Sequence, residues 1–142
     1  MSLTISLTGI LKRLTRLSNN PLAPWLKHVA VAERKKVQAR IRTLKVDPDG
    51  ERWAPWEKST ESHRRAKGNT RRGLLYDEGL LLASIISSST ATSAEISTAT
   101  PYAPFLQAGT AHMTHREFMG WGDVSLAQYE LEAVHALEKA AR

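Results

Sequence analysis

The sequence predicts an α+β fold in which all 142 residues form a single domain, 1–142. Apolar residues recur at helical spacing in the first 45 residues and again near the C terminus. Between these regions lies a stretch rich in serine and threonine, and β-branched residues such as threonine favour strands. We therefore expect an N-terminal helix pair, a small antiparallel β-sheet and a C-terminal helix.

The basic N-terminal part, residues 1–45, is predicted to contain two amphipathic helices. The first follows an apolar stripe over Leu3–Leu17 and stops before Pro21. Because proline is tolerated in the first turn of a helix, the second helix is expected from Pro21 or Pro24 to Leu44. The basic residues on its polar face include Arg34, Lys35 and Arg42.

The segment after the second helix is predicted to contain a turn, a lid on the core and a mobile loop. In Asp47–Gly50, the proline fixes φ at one turn position and the glycine permits a positive φ at another. Trp53 and Trp56 are too apolar for a free loop, so we expect them to fold back over the core. Residues 57–73 are polar and carry charges of both signs, which is typical of a mobile loop. The cationic residues of this loop include Arg71 and Arg72.

The serine- and threonine-rich stretch, residues 80–100, is expected to form the sheet. A turn at Asp77–Gly79 precedes a strand from Leu80 through Ile86 or beyond, and a hairpin is expected near Ala91–Ser93. Because the apolar content of these strands is low on both faces, they suit a sheet edge or a sheet whose pairing is completed by another chain.

The C-terminal part is predicted to contain two helices with a loop between them. Proline at the start and glycine at the end of Pro101–Gly109 match a short helix. A loop follows over Thr110–Gly122, and Asp123 or Ser125 then caps a helix that reaches Ala141. The apolar stripe of this final helix, residues 123–141, comprises Val124, Ala127, Leu131, Val134, Leu137 and Ala141.

Charge is distributed unevenly along the chain. Residues 1–45 carry a net charge of +9, residues 46–80 are neutral and residues 81–142 carry −3, within a total of +6. Such a polarised chain can bind a polyanion at its basic end, or it can stack head to tail against copies of itself. A basic helix face that is only solvated remains a third interpretation.

Composition and motifs argue against several classes of protein. The chain has no cysteine, which excludes disulfides and thiolate metal sites and suits a reducing cytoplasm or a particle assembled there. Its longest apolar run, Gly79–Ala83, is far too short to span a membrane. His112 and His115, with Glu117 nearby, leave a metal-dependent hydrolase as one alternative. Since no nucleophile elbow, phosphate-binding loop or zinc-protease motif occurs, we expect no enzymatic activity, no cofactor and no bound metal.

Four short motifs follow one another along the chain. They are Asp47–Gly50 with Trp53–Pro55, Leu75–Ile85 around Gly79, Pro101–Ala103 with Gln107, and Arg116–Gly120. In this order they resemble the phage virion-morphogenesis family, which includes the tail-completion proteins (tail S and Mu-like) of contractile-tailed phages. The resemblance extends from about residue 5 to the last helix. Leu106 and Glu117 stand where the family motifs have a histidine and a proline.

The resemblance implies a structural protein that completes or terminates the tail and joins it to the head. It implies a place at the tail end or head–tail junction of the virion, and copies arranged in a ring, with a hexamer expected. The other implied partners are the tail tube, the neck or connector proteins, and genomic DNA passing through the lumen. Candidate contact residues from the motifs are Tyr102, Gln107, Arg116 and Phe118. Candidate contacts to DNA or the neck are Arg34, Lys35, Arg42, Arg71 and Arg72; the alternative function is nucleic-acid binding by the basic N-terminal helices.

Overall fold

The computed structural model describes residues 1–6, 21–70 and 73–140, and it confirms the α+β fold class. Helices pack against a three-stranded antiparallel sheet, and a long helix ends the described chain. In chain order the elements are β1 Ser2–Ser6, α1 Leu22–Ala39 with a π-helical turn Arg40–Leu44, α2 Lys58–Ala66, α3 Leu80–Ser84, β2 Ile85–Ser89, β3 Ser93–Thr98, α4 Ala103–Ala108 and α5 Asp123–Ala140.

The sheet has the strand order β1-β3-β2, so the chain's own N terminus supplies the third strand. This corrects the predicted start of the first helix at Leu3, since Leu3 pairs with Ile96 of β3. The alternation of polar and apolar residues over Ser2–Ser6 has a period of two, which the helical stripe obscured. The rest of the predicted helix, up to Leu17, lies outside the described residues.

The serine and threonine content of the sheet is explained by its two unequal faces. On the central strand β3, Ala94, Ile96 and Thr98 are buried, whereas the residues between them are only partly covered. The sheet begins at Ile85, because Leu80–Ser84 forms a helical turn; the predicted strand start at Leu80 is therefore wrong. The hairpin between β2 and β3 lies where the sequence predicts it.

Helix α1 provides one wall of the core and confirms the predicted second helix. Leu26, Val29 and Val37 are buried along one face, and the helix continues to Leu44 through the π-helical turn. Lys45 then adopts a left-handed conformation with φ 57°, and its backbone N–H bonds to the carbonyl of Arg40. Trp53 is buried over this core, as predicted.

The predicted loop over 57–73 instead contains helix α2. None of its residues is buried, so it has no apolar stripe for periodicity to detect. The helix is supported locally by the Glu61–Arg65 ion pair at 2.8 Å, one turn apart, and by the Ser62 hydroxyl, which donates to the Lys58 carbonyl. Arg71 and Arg72 lie outside the described residues.

Helix α5 has the predicted extent over its described residues, but the predicted apolar stripe does not face the core. Tyr129 is the residue of this helix that is buried, whereas Val124 and Leu131 are 84% and 64% exposed. The cause is a buried polar contact: the Tyr129 hydroxyl donates to the Glu33 carboxylate of α1 at 3.0 Å. This contact turns the Tyr129 face of α5 inward and leaves the valine and leucine side chains outside.

Candidate functional site

A groove of about 430 Å³ opens between α2, the turn before α3, and α4 with the loop that follows it. Its lining includes Tyr102, Leu80 and Arg116, so three of the four sequence motifs meet here. Tyr102 precedes α4 and its side chain is 42% exposed, while Leu80 is 62% exposed. Phe105, one turn further along α4, is 57% exposed. We call Leu80, Tyr102 and Phe105 the aromatic patch.

Arg116 supports the wall of the groove. Its Nε donates to the Ala54 carbonyl at 3.1 Å and its Nη2 to the Pro55 carbonyl at 2.9 Å. Burial lowers the pKa of Arg116; Glu57 raises it and Arg64 lowers it further. Arg116 is 7% exposed, and its guanidinium bonds to these two backbone oxygens. It therefore ties the Trp53–Trp56 segment to the loop after α4.

Arg64 of α2 holds a second wall of the groove. Its guanidinium lies over the Trp56 ring, 4.8 Å from the ring centroid, and 3.8 Å from the Asp77 carboxylate. It also donates to the Tyr76 carbonyl at 3.4 Å. Helix α2 is therefore fixed to the turn before α3 through one side chain, although no residue of that helix is buried.

Gln107 fixes the position of α4 against the loop at 116–120. Its Oε1 accepts the backbone N–H groups of Phe118 and Met119, each at 3.1 Å, and its Nε2 donates to the Met119 carbonyl at 2.6 Å. Phe118 is fully buried in the larger core cluster. Of the four motif residues, Gln107, Arg116 and Phe118 thus hold the elements beside the groove together, and we call these three residues the frame. Tyr102 lies on the surface.

The frame continues into α1 through a buried charged network that the sequence analysis missed. Arg40 donates to Glu33 at 3.0 Å and to the carbonyls of Phe118 and Gly120 at 3.3 and 3.1 Å. Burial raises the pKa of the Tyr129 hydroxyl, and the adjacent Glu33 carboxylate adds to the effect. One sequence feature could have indicated this network: Glu33 lies on the apolar stripe of α1, four residues from both Val29 and Val37.

The sequence model of a family described as phage virion morphogenesis matches residues 5–131. The chain belongs to this family. No curated protein and no solved structure matches the chain significantly. Membership indicates a role in building the phage virion and supports a structural role, and it confirms the resemblance seen in the four motifs.

The motifs of this virion morphogenesis protein meet in space as well as in order. The Asp47–Gly50 turn packs against the start of α5: the backbone N–H of Asp123 donates to Asp49 Oδ1 at 3.1 Å. Gly79 has φ 91°, which favours glycine, and directs the chain into α3. The motifs therefore build joints between the elements of the fold.

The basic candidates of this virion morphogenesis protein lie away from the groove. Arg34, Lys35 and Arg42 are exposed on the outer face of α1. Within residues 1–6, 21–70 and 73–140, no three histidine or acidic side chains come close enough to hold a metal ion, and His112, His115 and Glu117 form no such group. Among the helices in the described part of the chain, none is long and apolar enough to cross a membrane.

Proposed function

We propose that this protein completes or terminates the phage tail and joins it to the head, at the tail end of the virion. The aromatic patch carries the proposal. Large exposed apolar side chains that are grouped together mark docking surfaces, and tyrosine and phenylalanine often supply the binding energy of such contacts. Leu80 and Tyr102 line the groove, and the exposed Phe105 follows Tyr102 by one turn of α4.

The frame beneath the patch supports a docking role. Gln107 anchors α4 by three hydrogen bonds, and Arg116 anchors the opposite wall by two. A surface held in this way loses little conformational entropy on binding, which favours tight association. The partners that we propose for it are tail-tube and neck or connector proteins. Copies of the chain are proposed to form a ring, with six subunits expected, around the path of the genomic DNA.

The test uses a phage that lacks the gene and is complemented by variants of the full chain. We expect Tyr102→Ala with Phe105→Ala to leave separate heads and tails in electron micrographs, and wild-type chain to give joined particles. Ile86→Ala is the matched control, because Ile86 of β2 is 56% exposed and belongs to neither the groove nor the patch. Joined particles at normal yield from the patch variant would refute the docking role.

Location is tested separately by labelling the protein in purified particles. Label at the head–tail junction supports a terminator or neck component. Absence from particles, with unjoined heads and tails in the deletion mutant, would indicate an assembly factor that leaves. Normal assembly without the gene would contradict the whole proposal.

A second candidate function is nucleic-acid binding by the outer face of α1. The exposed Arg34, Lys35 and Arg42 favour it, because the acidic residue of this helix, Glu33, is buried. Binding to phosphates would weaken steeply with salt, since each contact releases a counterion. A titration of duplex DNA at several salt concentrations tests it, and an affinity that is independent of salt would contradict it.

A further inference from the structure

The outer face of α1 is a basic stripe with an apolar centre. Its exposed residues include Lys27, Val31, Arg34, Lys35 and Arg42, and we call these five the α1 stripe. Within the described residues, no carboxylate forms an ion pair with any of its four cations. The stripe therefore offers unneutralised positive charge around one exposed valine.

The outer face of α5 is an apolar stripe with an acidic flank. Val124, Leu131 and Val134 are exposed on it, and we call them, with Asp123, Glu130 and Glu138, the α5 stripe. Nothing among the described residues covers these side chains. Both stripes carry exposed apolar side chains, and the acidic side chains of the α5 stripe have the opposite charge to the cations of the α1 stripe.

The two stripes face away from each other on one subunit. Helix α1 turns Glu33 and Lys36 toward Tyr129 of α5. At about 100° per residue, the centre of the α1 stripe lies roughly 150° around the helix from that contact, and the centre of the α5 stripe roughly 160° from Tyr129. One copy therefore cannot bring its own two stripes together, but two copies can.

We propose that the α5 stripe of one copy docks on the α1 stripe of the next copy. Leu131 and Val124 would cover Val31, while Glu130 and Glu138 would neutralise Arg34 and Lys35. A second copy suits the α1 stripe better than a polyphosphate, because the stripe has an exposed valine at its centre and the chain itself carries the complementary surface. Such a heterologous contact closes into a ring when the rotation between copies permits. The inference rests on the proposed function only for the closure of these contacts into a ring.

The test measures self-association of the full chain by sedimentation velocity. Arg34→Glu with Lys35→Glu reverses one stripe, and Glu130→Lys with Glu138→Lys reverses the other. We expect each pair of substitutions to weaken self-association by at least about tenfold, because like charges then face each other. An equal mixture of the two variants, and a chain with all four substitutions, should regain it.

Two controls separate the contact from general effects. Lys58→Glu with Lys67→Glu makes the same change in net charge as the α1 reversal. Both lysines are exposed, one at the start of α2 and the other directly after its end, so this pair should leave association unchanged. Circular dichroism should show that every variant is folded. Loss of association when α5 alone is reversed also excludes a symmetric contact between two α1 stripes, because reversing α5 would then have no effect.

Three outcomes would overturn the inference: a wild-type chain that stays monomeric at about 0.1 mM in low salt, reversed variants that associate as the wild type does, or a mixture that fails to recover. A monomer whose DNA binding is abolished by the α1 reversal would instead assign that stripe to nucleic acid. The proposed docking role of the aromatic patch would survive each of these results, because its test measures head–tail joining in phage.

Discussion

Glu33 is the residue on which the arrangement of helices α1 and α5 depends. Its side chain is completely buried, and its two carboxylate oxygens contact Arg40 at 3.0 Å and the Tyr129 hydroxyl at 3.0 Å. Lys36 adds a third contact at 3.7 Å. A buried charge is tolerated only when it is paired and hydrogen-bonded, and this set of partners meets that requirement.

Substitution Glu33→Gln should destabilise the fold by about 3–5 kcal/mol, because it leaves the buried Arg40 charge without its counterion. The measurement is urea unfolding followed by tryptophan fluorescence. Glu130→Gln, on the exposed face of α5, is the matched control and should change stability by less than about 0.5 kcal/mol. A loss from Glu33→Gln no larger than that of the control would show that the network does not stabilise the fold.

Lys45 should make stability depend on alkaline pH. Its ammonium donates to the carbonyl oxygens of Ile41 and Leu74, and burial, together with Arg64, lowers its pKa from 10.5 to about 8. The unfolded chain then binds more protons than the folded chain between pH 8 and 10.5, so stability rises with pH across this window. Below pH 8 the full cost of the buried charge is present.

The measurement compares wild type with Lys45→Met by urea unfolding at intervals from pH 7.5 to 10.5. The free energy of unfolding of the wild type should rise relative to that of the variant as pH increases. Because other groups titrate in both proteins, the difference isolates Lys45. A constant or falling difference would contradict the lowered pKa.

At the scale of elements, the sequence predicted the structure correctly where an apolar pattern reflects burial in the core. It failed where polar contacts within a helix or with another element determine the structure. Helix α1 has an apolar stripe that does face the core, so its periodicity sufficed. Helix α2 buries nothing and depends on Glu61, Arg65 and Arg64 contacts, which leave no hydrophobic signal. In α5 the apolar side chains are a real stripe, but a tyrosine-to-glutamate contact from another helix determines which face is inside.

The candidate site was predictable only in part, for a similar reason. The motif resemblance identified Tyr102, Gln107 and Arg116, and the structure places Tyr102 and Arg116 at one groove with Gln107 in its frame. Motif position cannot distinguish a side chain that offers a surface from one that binds its own backbone. That distinction requires the neighbours of each side chain in space, such as the Ala54 carbonyl beside Arg116.

The junction between the Asp47–Gly50 turn and α5 gives a prediction about two elements. A Cβ atom on Gly122 would lie 2.1 Å from the Pro48 carbonyl oxygen, so Gly122→Ala must separate the turn from the start of the helix. We expect a loss of about 3 kcal/mol by thermal or urea unfolding, as overpacking typically causes. Gly50→Ala is the control: its Cβ would meet nothing, and only the strain of φ 93° remains, about 1 kcal/mol. Equal losses from both would show that the close approach is unimportant.

At the scale of the whole molecule, the separation of charge along the chain becomes a separation in space. The net charge of +9 in residues 1–45 and −3 in residues 81–142 includes the α1 stripe and the α5 stripe, on opposite outward faces. Self-association through these stripes has an electrostatic part, which salt screens, and an apolar part, which it does not. These two parts can be measured separately.

Raising NaCl from about 0.05 to about 0.5 M should weaken wild-type self-association by about tenfold, because the Debye length falls below the spacing of the charges. The chain with all four charge reversals should show the same salt dependence, since attraction does not depend on which stripe carries which sign. Leu131→Ser should weaken association at every salt concentration and leave that dependence unchanged. Sedimentation velocity measures all three proteins, and a Leu131→Ser chain that associates as strongly as the wild type at every salt concentration would mean that the apolar and charged contacts belong to different surfaces.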